Sequence, residues 1–140
     1  MKALHAVTAV AEVGAGVALL ACPSPTVTLL VGSPLETPAA LSVARVGGAG
    51  LLALGVACWL SRDDSQSRAA RGLVAAMLLY NIAAVAVLAF ASIGFGLHGV
   101  ALWPAVVLHA LLGVWCGTCL CFKSVPPSTN NQSNPHSTQQ

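Results

Sequence analysis

Glu12, Arg45, Asn81 and His109 are the residues whose chemistry stands out, because each interrupts a long apolar run. A charge at the centre of a bilayer costs about 2.5–3.5 kcal/mol on insertion scales, so such a residue needs a partner or a role. A carboxylate and an imidazole are the side chains suited to passing protons at moderate pH, and Glu12 and His109 supply one of each. A purely structural use is also open. Arg45 would neutralise Glu12, while Asn81 and His109 would hydrogen-bond across helices, at about 0.6 kcal/mol per bond. Tyr80 precedes Asn81, and Thr8 and His5 lie one and two turns before Glu12, which makes all three candidate supporting groups.

A second constellation is Cys116-Gly117-Thr118-Cys119, a CxxC that would suit a thiol–disulfide pair or a soft metal. It falls in an apolar helical run rather than in a βα setting, and cysteine also serves as a small buried residue. No metal site is expected. The spacings His5 to Glu12 and His109 to Cys116 put the members two turns apart, too far for one small ion. Haem ligation by His109 would need a pocket that the sequence does not display. No GxSxG, HExxH or phosphate-binding loop is present, so neither a cofactor nor an enzymatic activity is expected.

These residues need elements to hold them, and the composition says which. Hydrophobic residues make up 56% of the 140 and charged residues only 7%, against about 25% charged in a soluble domain. Such a surface calls for lipid. Four runs reach the roughly 20 apolar residues a helix needs to cross it: 3–21, 41–60, 72–93 and 102–121. The fold class expected is all-α, a four-transmembrane-helix bundle over residues 1–122. Thr26 to Val31, after Ser24-Pro25 as cap and first turn and before Gly32 as stop, reads as a short interfacial helix. Residues 123–140 are polar and expected to be a disordered tail. Each span carries one strongly polar residue, within a slab of about 10 Å by helix rise. On the first, His5, Thr8, Glu12, Ala15 and Gly16 share a stripe; on the second, Arg45, Gly48, Leu52 and Gly55; on the fourth, Ala105, His109, Gly113 and Cys116. Small residues beside polar ones mark close helix interfaces.

With four spans, Lys2, Arg62, Arg68, Arg71 and Lys123 share one side, and Arg45 alone lies toward the other. The positive-inside rule then places both termini in the cytoplasm of a cell whose inner membrane holds the protein. The net charge of +2 and the lack of a basic–aromatic patch exclude nucleic acid as a partner. The expected partners are the lipid bilayer and a membrane protein or a second copy of the chain. A lipoprotein leader ending at Cys22 is a rival for the first span, with Glu12 and Leu20 against it. Asn131-Gln132-Ser133 fits a glycosylation sequon but falls on the cytoplasmic side of this layout.

The segments ARVGGAGLLALGVACWLSR, AARGLVAAMLLYN and LWPAVVLHALLGVWC, with the interfacial helix before them, resemble the layout of DoxX-like small bacterial membrane proteins. That resemblance implies a four-helix bundle and no assigned activity. Around Ala11-Glu12-Val13 the chain is similar to small multidrug-resistance transporters, which implies a coupling carboxylate at Glu12; Arg45 departs from that pattern. The function expected first is a non-enzymatic accessory or structural membrane component. The alternatives are a proton-coupled transporter or channel using Glu12, Arg45 and His109, and a thiol redox protein using Cys116 and Cys119.

Overall fold

Proline and glycine set the breaks in this chain. The computed structural model describes residues 2–64 and 67–122. It consists of α1 (Lys2–Ala21), α2 (Pro23–Val31), α3 (Pro38–Leu60), α4 (Arg68–Phe95) and α5 (Leu102–Cys121). Among the described residues there is no strand. The expected tail lies outside the described residues.

α1 stops because Pro23 has no N–H to continue the ladder and is tolerated only at the start of the next helix. Cys22, not Ser24, is the cap residue of α2. The Ser24 hydroxyl is used elsewhere: it accepts from the Leu35 N–H at 3.1 Å and closes the loop that follows. α2 ends where expected, at Gly32 in the left-handed region (φ 81°). α3 begins three residues earlier than the apolar run, because Thr37 caps Ala40 and Pro38 takes the first helical position. α4 likewise starts at Arg68, capped by the Ser67 hydroxyl at 3.1 Å from Ala70 N. Its far end is Gly96, whose N–H reaches back to Ser92 O.

Four helices, α1, α3, α4 and α5, are long and apolar enough to cross a membrane. Their outer faces carry exposed Val10, Val46, Leu79 and Ile93. An apolar surface of that extent suits lipid rather than water.

The helices pair as α1 with α3 and α4 with α5. α1 and α3 run antiparallel with backbones almost touching. A Cβ on Gly16 would stand 2.7 Å from Gly48 O, and one on Gly55 would stand 3.1 Å from Ala9 O. Only glycine permits this approach. The two pairs meet at one end of the bundle, which also holds Lys2 and the α3–α4 loop. There Leu4, Ala9, Cys58, Val74, Met77, Leu112 and Cys116 form the buried core. At the other end α2 lies against α1, α3 and α5. Its carboxyl end is fastened to the α4–α5 loop: Ala101 N–H donates to Leu29 O at 2.9 Å, and a Cβ on Gly99 would fall on the Leu30 backbone.

Candidate functional site

α1 buries one polar stripe. His5, Thr8 and Glu12 are 1%, 1% and 3% exposed, because the sequence places them at i, i+3 and i+7 on the face that meets the bundle. Glu12 and the Tyr80 hydroxyl of α4 face each other across the helix pairs, on the same cavity. Tyr80 in turn stands edge-on to the His109 ring of α5, with centroids 5.5 Å apart and planes at 82°.

The proton positions around His109 follow from donor and acceptor logic. Asn81 donates its amide N–H to Met77 O at 2.7 Å. Its Oδ1 therefore faces His109 Nδ1, at 2.9 Å. An amide oxygen can only accept, so Nδ1 carries the proton and the neutral ring keeps its lone pair on Nε2. The result is a polar chain across three helices: Glu12, Tyr80, His109, Asn81 and the Met77 carbonyl.

This chain forms one end of a cavity of about 420 Å³ between the helix pairs. The volume falls within the roughly 300–1,000 Å³ typical of small-molecule sites. Glu12, Tyr80 and His109 are its strongly polar lining; Leu19, Leu88 and Leu112 are among its apolar walls, and α2 contributes Thr26, Leu29 and Leu30. Few convergent polar groups in an apolar chamber is the usual make-up of a ligand site. His109 and Asn81 also line a separate groove of about 340 Å³ between α4 and α5. One ring thus stands between the chamber and the outer face.

Arg45 does not join this group. It is exposed on α3, and among the described residues no ion pair links it to Glu12. Gly48 and Gly55 of the same predicted stripe are buried, and Leu52 is half-buried. The physical reason is angular: at 3.6 residues per turn Arg45 lies about 60–80° round the helix from the two glycines, at the edge of the packed face. A long arginine stem can then run along lipid to a polar region.

The thiols are also distributed rather than gathered. Cys116 is buried in the core and Cys119 half-buried; both are free, as are Cys22, Cys58 and Cys121. Among the described residues no three His, Cys, Asp or Glu side chains converge as a metal site. His98 is exposed, with Nδ1 3.5 Å from the Ser92 hydroxyl; His136 lies outside the described residues.

Tyr80, expected as a supporting group, lines the chamber together with Glu12. The apolar runs do not reveal that α2 is a wall of the chamber rather than only an interfacial turn. Gly99 is the available signal, since a glycine in a short loop marks a close backbone approach.

No family model matches the chain, and no curated protein or solved structure matches it in sequence or in fold.

Proposed function

We propose that the chain is a multi-pass membrane protein that takes a small, largely apolar molecule into the interhelical chamber and exchanges a proton at Glu12. In this reading it is a proton-coupled transporter or channel. Glu12 is the coupling carboxylate, Tyr80 faces it, and His109 presents Nε2 from the opposite helix pair. The observation that carries the reading is the position of Glu12: it lines a 420 Å³ cavity instead of being neutralised by Arg45. A structural pair would have left neither an available carboxylate nor room beside it. No enzymatic chemistry belongs to this proposal.

The basic residues Lys2, Arg62, Arg68, Arg71 and Lys123 support an inner-membrane orientation with both termini in the cytoplasm. The chamber then lies toward the outer half of the bilayer. In proteoliposomes, wild type should move protons in response to a gradient of some lipophilic solute in a diverse panel, and Glu12→Gln should not. Absence of any such movement in wild type would remove the proposal.

One observation favours the accessory reading as a second possibility. Arg45 points outward on α3 near Gly47 and Gly50, beside which a Cβ would meet nothing within 4 Å. A partner helix would fit there. Cross-linking through an Arg45→Cys variant in native membranes tests it, and a strictly monomeric pattern counts against it.

A further inference from the structure

His5 is buried far more deeply than a helix-end residue near the chain start needs to be. It sits on α1 with 1% exposure, in the end of the bundle where the core is packed. Its Nδ1 donates to Ser61 O, the residue that ends α3, at 3.2 Å. Its Nε2 is buried with no hydrogen-bond partner among the described residues. A core position of this kind is ordinarily filled by leucine or valine, as Leu4 and Val74 fill theirs. An orphaned acceptor on a titratable ring is an expensive choice for packing alone.

Its position along α1 supplies a use. His5, Thr8 and Glu12 lie on one buried stripe and span about 10 Å by helix rise. Successive members are about 5–6 Å apart at Cβ. Among the described residues no protein group reaches His5 Nε2 directly, so the link from it to Thr8 needs a bridging water. One end of the stripe is the chamber carboxylate. The other is the Ser61 carbonyl, beside the exposed Lys2–Asp63 ion pair at 3.0 Å.

Resting on the proton exchange proposed above for Glu12, we infer that the Glu12–Thr8–His5 stripe is the path by which that proton reaches the end of the bundle bearing Lys2 and the α3–α4 loop. A proton leaving Glu12 passes along a water held at the Thr8 hydroxyl to His5 Nε2. The ring becomes imidazolium, rotates, and releases the proton taken up at Nε2 to water at the Ser61 end. One proton enters and one leaves, no electrons move, and the neutral ring, still protonated on Nδ1, rotates back to its first position. The path gives the exchange a side: solute meets Glu12 from the chamber, protons meet it from the opposite end. Other titratable or charged groups of this end are Cys58 of α3, Cys116, Cys119 and Cys121 of α5, and Lys2, Arg62, Asp63, Asp64, Arg68 and Arg71 toward the surface.

The test uses the full chain in liposomes, a flash-released proton and time-resolved infrared detection of the Glu12 carboxyl band, assigned by its loss in Glu12→Gln. His5→Asn keeps an N–H donor for Ser61 O and removes the titratable nitrogen; Thr8→Val keeps the volume and removes the hydroxyl. Both should reach the wild-type equilibrium but protonate Glu12 about ten-fold or more slowly, as loss of a positioned proton-transfer group implies. Wild-type rates in either variant overturn the path while leaving Glu12 exchange intact. A wild-type band that never changes with pH overturns both.

Discussion

Gly16 and Gly48 meet backbone against backbone, with Gly48 O 2.7 Å from where a Gly16 Cβ would stand and Leu52 N equally close. Neither atom can move without shifting a helix. Gly16→Ala should therefore destabilise the protein by about 1–3 kcal/mol, the cost of overpacking. Gly47→Ala, with nothing within 4 Å of its Cβ, should be neutral or slightly stabilising through helix propensity. Unfolding in mixed detergent micelles compares the two.

Asn81 orients His109 and is itself oriented by Met77 O. Asn81→Ala should cost about 0.6–1.7 kcal/mol, from the average to the largest value found for hydrogen bonds between membrane helices. Its larger effect should fall on the ring. In ¹⁵N NMR of the labelled histidine, wild-type His109 is expected as the Nδ1–H tautomer and the variant as a mixture. A wild-type Nε2–H tautomer would break the donor logic of the site.

Fastening of α2 depends on Gly99. A side chain there meets the Leu30 backbone, so Gly99→Ala should pull the α4–α5 loop off α2 and break the Ala101 N–H bond to Leu29 O. Hydrogen exchange at the Ala101 amide should rise by at least about ten-fold, reflecting a local opening made easier. Unchanged protection at Ala101 would show that the latch tolerates a side chain.

Ser67 caps α4 through Ala70 N. Ser67→Ala should cost about 1 kcal/mol, in the usual range for a lost cap. Thr37→Ala at the start of α3 should behave alike, and thermal unfolding of each against wild type reads the loss.

At the surface, Lys2 donates to Asp63 at 3.0 Å and the Arg62 side chain adds a contact at 3.3 Å. The Lys2 hydrogen bond, with its positive charge, holds the Asp63 carboxyl below its ordinary value of 3.8. A lowered native pKa gives stability that is present above the unfolded pKa and is lost as pH falls through the native one. The contact should therefore persist at pH 5 and disappear in strong acid. Asp63→Asn should remove that acid dependence, and salt should weaken the pair in wild type because it is exposed. Stability measured against pH at low and high salt checks both.

Much of this architecture was legible in the residues. α5 begins and ends at Leu102 and Cys121, as its apolar run implies. The apolar run understates α4 because hydropathy ignores Arg68 and Arg71, whereas the Ser67 hydroxyl fixes its first turn. Three of the polar residues, Glu12, Asn81 and His109, do converge. Arg45 does not, because a stripe drawn at i, i+3, i+7 and i+10 is wide enough to include a rim position. The chamber was not legible at all. It arises from where two helix pairs separate, and no local spacing encodes that distance.

Pro23 and the nine residues of α2 act as a spacer, much as the closed hinge of a clothes-peg needs something between its free arms to stay open. The buried core serves the hinge, the tight glycine contacts hold one arm together, and Glu12 and His109 sit where the arms begin to part. The width of the chamber is thus governed by residues that never touch Glu12 or His109. A lineage could widen or narrow the chamber by altering α2 and its latch, and leave Glu12, Tyr80 and His109 as they stand.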